Sequence, residues 1–418
     1  MDAVVKSDRF RIDLDISELA EEIVAHLPQY LFHSSETKFL DPAYAGGQFL
    51  YAVAKRLLKN GHSKENILGR LYGVEYRPIY ANSFKIRGLL GANLQIISTV
   101  DQLKEVFHNM KFDVVLGNPP FQNPGKSKGN KLWPKFIMQS VELTKDDGYF
   151  ALVSPTGWAS GGNNIPGNRG VISDVFANNQ IHTIKDANEH FSVGIDIAYF
   201  VGQVKKVTKK TDLILNDGKS KVDFRKSEFI SPRFNQIDMS ITEKVFFGGH
   251  EKFDVVSFDR SIKRGTVKES SEPTKKFKYK HYVLGGSTAK NAGFTYLDFN
   301  NSPKLNFPKV LFTIGNRYWQ PYYDLENVCV ASQGFAIPIE KKATVKSLKS
   351  IFESKVFTYV NFWYQLNMKG FMKTNMAKAL PKLDMTRTWT DQEIYKLFDL
   401  TKEEINHIES TLESVKHG

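Results

Sequence analysis

Apolar residues recur through the first two hundred positions in two alternating patterns, and each change of pattern marks an element. Between residues 13 and 28, Leu14, Ile16, Leu19, Ile23, Val24 and Leu27 return at helical spacing and predict an amphipathic helix. Phe39-Leu40 is a short apolar run that predicts a strand, and Phe49-Leu50-Tyr51-Ala52-Val53 opens a helix over 48–59. The alternation continues with a strand at Gly73–Glu75, a helix near 78–90, a strand at Leu94–Ile97, helical spacing over 101–109 and a buried strand at Val114–Leu116. Leu132, Phe136, Ile137 and Val141 place a helix over Lys131–Leu143, and Gly148–Pro155 reads as another buried strand. Strands separated by helices predict an α/β fold with a doubly wound, largely parallel sheet. Such sheets bind ligands at the carboxyl ends of their strands.

Breakers and charge runs punctuate this region. Asn123–Asn130 and Gly157–Gly170 are rich in Gly and Asn and predict loops at the ligand-binding end. Residues 190–202, His-Phe-Ser-Val-Gly-Ile-Asp-Ile-Ala-Tyr-Phe-Val-Gly, read as a late strand pair, and Lys205–Lys210 as a boundary or an edge hairpin. Beyond it the βα alternation stops. Basic and aromatic residues interleave instead, in Lys275-Lys276-Phe277-Lys278-Tyr279-Lys280-His281-Tyr282 and in Arg317-Tyr318-Trp319-Gln320-Pro321-Tyr322-Tyr323. Trp389–Ile394 opens a helical segment, and Thr401-Lys402-Glu403-Glu404 has the form of a capping box. The expected division is therefore residues 1–202 and 203–418, the second an α+β region ending in helices.

Charge follows the same division. The formal net charge is +12, from 57 Lys+Arg and 45 Asp+Glu. Residues 1–200 hold 21 basic and 21 acidic side chains, so the remaining 36 basic and 24 acidic leave the whole excess in the second half. A basic half beside a neutral one suggests a polyanion-binding module joined to a catalytic one. The single cysteine, Cys329, excludes an internal disulfide and a cysteine-cluster zinc site. Its Asn-Val-Cys-Val-Ala context also disfavours a cysteine nucleophile of the Pro-Cys kind. No apolar run is long enough to span a bilayer, and the N-terminus lacks a signal-peptide core, so a cytoplasmic setting is expected.

The run that carries chemistry is Phe112-Asp113-Val114-Val115-Leu116-Gly117-Asn118-Pro119-Pro120-Phe121. A buried strand ends at Gly117 in a rigid polar corner. Two prolines fix φ and remove two backbone donors. The corner therefore offers acceptors, the Asn118 side-chain oxygen and the Pro119 carbonyl, which suit an exocyclic amino group. Phe121 adds a flat face on which a planar ring can stack. Asn-Pro-Pro-Phe after a buried strand resembles the catalytic motif of amino-group methyltransferases that use S-adenosylmethionine.

The upstream sequence extends the resemblance. Phe39-Leu40-Asp41-Pro42-Ala43-Tyr44-Ala45-Gly46-Gly47-Gln48-Phe49-Leu50 is similar to the cofactor motif of DNA adenine methyltransferases, Asp-Pro-Ala-x-Gly-x-Gly-x-Phe-Leu. Asp41, Pro42, Ala43, Gly47, Phe49 and Leu50 match it, whereas Ala45-Gly46 departs from it and puts a methyl where glycine is expected. Glu75 ends the next strand, where an acid can accept hydrogen bonds from two ribose hydroxyls. The motif order, over roughly residues 15–202, resembles the gamma group of adenine-N6 DNA methyltransferases of restriction–modification systems or phages.

That resemblance implies a Rossmann-like methyltransferase core with a C-terminal DNA-recognition region, and site-specific transfer of methyl from S-adenosylmethionine to the N6 amine of a flipped-out adenine. It implies catalytic roles for Asn118, Pro119, Pro120 and Phe121, and cofactor contacts from Asp41, Ala43, Gly46, Gly47, Phe49, Glu75 and Asp101. Tyr199 or Phe200 would face the base; only one can, because strand faces alternate. Lys276, Lys278, Arg317 and Trp319 would contact double-stranded DNA. No metal is required, and no membrane partner is expected. A cognate restriction endonuclease would act separately, since no nuclease constellation is visible in the chain. Three alternatives share parts of this pattern: an RNA base methyltransferase, a glutamine-modifying protein methyltransferase, which the basic C-terminal half argues against, and a non-catalytic nucleic-acid-binding protein with a decayed cofactor site.

Overall fold

The computed structural model describes residues 16–75, 88–108, 110–122, 131–160, 170–193, 195–215, 218–230, 235–258, 268–283, 293–299, 305–313, 321–330, 334–341, 344–367 and 374–416. The chain divides into two units, Met1–Arg233 and Phe234–Gly418.

The first unit is built on a nine-stranded sheet. Its strands are β1 (Phe39–Asp41), β2 (Leu71–Glu75), β3 (Asn93–Ile96), β4 (Phe112–Gly117), β5 (Thr144–Pro155), β6 (Gln180–Asp186), β7 (Ile197–Gln203), β8 (Thr211–Leu215) and β9 (Gly218–Val222). They lie in the order β3-β2-β1-β4-β5-β7-β6-β8-β9. The first five positions of that order are parallel, β7 runs antiparallel between β5 and β6, and β8–β9 is an antiparallel hairpin. The order turns back at β1–β4, which is where a doubly wound sheet opens a crevice for ligands.

Helices α1 (Ser17–Ala25), α2 (Tyr30–His33), α3 (Gln48–Lys59), α4 (Lys64–Arg70) and α5 (Trp133–Leu143) belong to this unit. The helix predicted over 48–59 is α3, and its buried residues Phe49, Leu50, Ala52, Val53 and Leu57 form one face. α5 begins with Pro134 in its first turn, where no intrahelical N–H is needed. Ser63 caps α4 by accepting from the Asn66 N–H. Leu40, Val74, Val115, Phe112 and Phe136 pack into one core.

Two expectations need correction. The boundary placed at residue 203 falls inside the sheet: β8 pairs with β6 in parallel and β9 closes on β8, so the unit continues to Arg233. The helical spacing over 101–109 yields only a 3-10 turn at Val100–Leu103, set by a Thr99/Gln102 capping box, and His108 at φ 53° turns the chain out of helix. The expected helix near 78–90 and the loop Asn123–Asn130 lie largely outside the described residues.

The second unit is α+β, as expected for the C-terminal region. Strands β10 (Val256–Phe258), β11 (Tyr279–Val283), β12 (Gly293–Leu297), β13 (Lys309–Thr313), β14 (Tyr322–Asp324), β15 (Cys329–Val330) and β16 (Gly334–Pro338) form a four-stranded sheet, β10-β16-β13-β14, and a three-stranded one, β12-β11-β15. Lys309 and Asp324 form a fully buried ion pair between β13 and β14. Helix α6 (Gln236–Phe247) presents buried Asp238 to Tyr359 and to His407, 2.8 Å away, which tie it to two later helices, α7 (Lys355–Asn367) and α8 (Lys402–Lys416). No helix among the described residues is long and apolar enough to cross a membrane.

Candidate active site

The site forms where β1, β2 and β4 end. Three consecutive buried residues, Val114, Val115 and Leu116, drive β4 into the centre of the sheet between β1 and β5. Gly117 ends it against Asp41, the last residue of β1. A Cβ at position 117 would stand 2.5 Å from Asp41 Oδ1, so only glycine lets the two strand ends meet at this distance. The same Oδ1 accepts from the Ala43 N–H at 3.0 Å and starts the turn toward α3.

That turn is fastened to β2 at two successive residues. Tyr44 N–H donates to the Val74 carbonyl at 3.0 Å, and Ala45 N–H donates to Glu75 Oε2 at 2.9 Å. Gly73 allows the approach: a Cβ there would lie 2.7 Å from the Tyr44 and Leu94 side chains. Burial, then the nearby Glu75 and Asp41 carboxylates, pushes the Tyr44 hydroxyl above its ordinary pKa. Ala45 adopts φ 44° and Gly47 φ 82°, both left-handed. The departure from glycine noted at position 45 is thus a methyl held where L-residues are disfavoured.

Asn118 follows at the carboxyl end of β4. Its Oδ1 is buried and has no hydrogen-bond partner among the described residues. Ser154 Oγ and Trp158 Nε1, at and just beyond the carboxyl end of β5, are in the same condition. Buried polar atoms are normally paired, and these three share the strand-end region where a doubly wound sheet binds its ligands. Phe121 is buried, its carbonyl accepts from the Leu132 N–H at 3.1 Å, and its ring lies 6.3 Å from that of Phe191 at 51°.

Phe191 was not singled out among the candidate residues. Strand direction is the signal that reveals it. Because β7 runs against β5, with Ile197 opposite Pro155, the amino end of β7 lies at the ligand-binding end of the sheet. Residues just before β7, not those within it, face the site.

Tyr199 and Phe200 are accordingly corrected. Both are fully buried. Tyr199 OH donates to Glu22 Oε1 at 2.7 Å and lies 2.9 Å from His26 Nε2, while Glu22 also pairs with Lys185 at 2.5 Å. This network joins α1 to the sheet. Phe200 packs against Phe150 and Phe176 at 6.1 and 5.1 Å. Neither ring has a face for a base.

The remaining candidates scatter. Asp41, Ala43, Gly46, Gly47 and Glu75 gather around the turn, and Phe49 packs on the inner face of α3. Asp101 is 72% exposed and pairs with Lys135 of α5, so it does not join that cluster. Lys276 and Lys278 are exposed, with their ammonium groups 5.5 and 5.1 Å from the Phe277 and Tyr279 rings. Arg317 and Trp319 lie outside the described residues. Among the described residues, no group of three or more His, Cys, Asp or Glu is arranged to hold a metal ion.

Residues 79–193 match the model of a protein family described as the Eco57I restriction-modification methylase. The comparison with curated proteins finds no match. Among solved structures, the M protein of the type I restriction enzyme EcoKI aligns at 17% identity and TM-score 0.36, over 46% of this chain and 44% of that one. The type I restriction-modification methyltransferase subunit from Streptococcus thermophilus aligns at 19% identity and TM-score 0.35, over 48% and 45%. A DrdV–DNA complex aligns at 15% identity and TM-score 0.37, over 50% and 28%. The chain thus spans less than half the length of each of these three. Over residues 79–193, which include the Asn-Pro-Pro-Phe corner and Phe191, the chain is similar to restriction–modification methylases, which bears out the methyltransferase resemblance carried by that corner.

Proposed function

We propose that the chain is a site-specific DNA methyltransferase that transfers a methyl group from S-adenosylmethionine to the N6 amine of an adenine swung out of the duplex. The observation that carries this reading is Asn118 Oδ1, a buried acceptor without a partner among the described residues, at the end of a central strand and followed by two prolines that remove competing donors.

The residues present fit the cofactor. The glycine turn 44–47, braced by Glu75, leads into α3, whose N-cap Gly47 brings no side chain to its first turn. Such a helix start favours a carboxylate, and Glu75 is assigned to ribose hydroxyls. When bound, S-adenosylmethionine supplies a methyl group on a positively charged sulfur. Asn118 and the Pro119 carbonyl accept from the target amine and aim its lone pair. Phe121 and Phe191 flank the base. Holding amine and methyl donor in line provides most of the acceleration, and the base leaves the duplex at a cost of a few kcal/mol. The basic second unit would bind the duplex. A cognate endonuclease, acting separately, would be the physiological partner.

The test is to incubate the protein with labelled S-adenosylmethionine and duplex DNA, RNA or protein extract, then digest the products and identify the modified residue by mass spectrometry. N6-methyladenine in DNA is expected. Label in RNA, in glutamine or in N4-methylcytosine would overturn the assignment.

A further inference from the structure

The second unit carries an aromatic stack that the first unit's chemistry does not use. Tyr282 and Phe294 stand directly opposite each other on β11 and β12. Strand alternation puts Lys280 on the same face, two residues from Tyr282. Tyr322 of β14 stacks on Tyr282 with ring centroids 4.6 Å apart and planes within 11°, and meets Phe294 edge-on at 5.4 Å. Tyr282 belongs to the core with Leu311, Val330 and Ala336. Phe294, by contrast, is 39% exposed, and the Lys280 ammonium lies 4.3 Å from its ring centroid.

Single exposed apolar residues are common on folded proteins; Phe294 differs in being held beside a cation on an aromatic stack. Here the ring is fixed from below by two tyrosines anchored in the core, so little side-chain entropy remains to be lost on contact. The surroundings define the chemistry of what covers it. Lys275, Lys276 and Lys278 on the approach to β11 are exposed, and residues 234–418 hold 27 basic against 20 acidic side chains. The Lys280 ammonium itself is held by Glu326, at 3.4 Å, whose side chain is 73% exposed. That contact is long and solvated, a weak pair that a phosphate can replace.

We infer that Phe294 is a wedge that inserts at a base step of duplex DNA, with Lys280 exchanging Glu326 for the adjacent phosphate. Aromatic side chains placed beside cations unstack base steps in this way, and phosphate contact supplies the salt-dependent part of the affinity. The inference rests on the proposed DNA substrate and names the residues that would grip it.

Full-length protein is titrated with a fluorescent mixed-sequence DNA duplex at several salt concentrations, and separately with S-adenosylmethionine. Phe294→Ala should weaken duplex binding about tenfold without changing the slope of log affinity against log salt, since the ring carries no charge. Lys280→Gln should lower that slope by about 0.9. Glu326→Gln should tighten binding in the wild-type background but not in Lys280→Gln, which distinguishes release of Lys280 from simple removal of a surface acid. All three positions are partly or well exposed, and S-adenosylmethionine affinity and the melting curve serve as the folding control. Wild-type duplex affinity in both Phe294→Ala and Glu326→Gln overturns the wedge while leaving the methyltransferase reading intact. A wild-type protein that binds S-adenosylmethionine but no duplex overturns both.

Discussion

Gly117 and Asp41 meet edge to edge, with the Asp41 carboxylate oxygen where a Gly117 side chain would begin, 2.5 Å from that Cβ position. The contact joins the last residue of the catalytic strand to the first residue of the cofactor turn. Because Asp41 also accepts from Ala43 N–H, a displaced carboxylate disturbs both halves of the site. Gly117→Ala is expected to destabilise the first unit by about 1–3 kcal/mol, the usual cost of overpacking a filled interior, and to lower methyl transfer more than DNA binding. A melting curve and a methylation assay on the same preparation check it. Unchanged values for both would mean the strand ends can part without consequence.

Ala45 gives a prediction of the opposite sign. Its φ of 44° is left-handed, a conformation costing an L-residue roughly 1–2 kcal/mol. Ala45→Gly removes that strain and adds about 0.4–1 kcal/mol of unfolded-state entropy. The net expectation is a gain on the order of 0.5–1 kcal/mol and an S-adenosylmethionine affinity at least equal to wild type. Thermal and calorimetric measurements test it; a lower melting temperature would show that the alanine methyl is packed to advantage.

Glu75 holds the turn through Ala45 N–H at 2.9 Å. Glu75→Ala leaves that part-buried donor without its acceptor and should weaken S-adenosylmethionine binding by about fivefold or more, since an orphaned donor costs about 1–3 kcal/mol. Glu75→Gln keeps a carbonyl acceptor and should recover part of the loss. Calorimetry with the cofactor and with duplex DNA separates this from general damage: DNA affinity should move little. Equal cofactor affinity in all three proteins would reduce Glu75 to a strand-end acid.

Acid lability should arise in part at the network around α1, where His26 is one of three histidines among the described residues, with His182 and His250, that burial holds below their ordinary value. Burial, with Lys185 adding to it against Glu22, holds the His26 imidazole below its ordinary value of 6.5. Burial works against ionisation of Glu22, yet hydrogen bonds from Lys185 and Tyr199 hold its carboxyl below 4.5. For both groups the unfolded chain takes up a proton before the folded one. Stability is therefore complete above about pH 6.5 and falls as pH drops through the His26 window, then further below about 4.5. His26→Gln should make the first decline shallower, since His182 and His250 still contribute to it, and leave the second. Melting temperatures taken between pH 4 and pH 8 decide it, and an unaltered profile in His26→Gln would place the acid sensitivity elsewhere.

Much of the first unit was legible because strand and helix periods alternate there without interruption. The 48–59 helix coincides with α3, and the buried run Val114–Leu116 sits inside β4. β6 was not recognised: a bulge between Ile181 and Thr183 breaks its alternation, and period-2 reading fails at a bulge. The site itself was legible where function depends on local sequence, as in Asp41 and Asn118. It was illegible where function depends on strand direction. The resemblance places Tyr199 or Phe200 at the base, but both are buried within β7, whose antiparallel course brings Phe191 to the ligand end instead. Asp101 stands apart from the turn: it lies in the 3-10 turn after a Thr99/Gln102 capping box and pairs with Lys135 on the surface.

The pair Phe121 and Phe191 carries the last prediction. Their rings stand 6.3 Å apart at 51°, tilted against each other, so a base entering between them must turn at least one ring. Stacking on an aromatic contributes about 1–3 kcal/mol per base, which offsets part of the few kcal/mol spent on flipping. Asn118→Ala, by comparison, removes an acceptor aimed at the amine and should cost ~100-fold or more in turnover while leaving the base free to flip. The two kinds of variant therefore separate. With 2-aminopurine at the target position, Asn118→Ala should keep the fluorescence rise that reports an unstacked base and lose methyl transfer. Phe121→Ala and Phe191→Ala should each reduce both, and Phe121→Trp should retain part of each. If Phe121→Ala and Phe191→Ala give the wild-type rise and rate, the two rings are interior packing and the base must be held by other groups at the strand ends, with Ser154 and Trp158 the first to test.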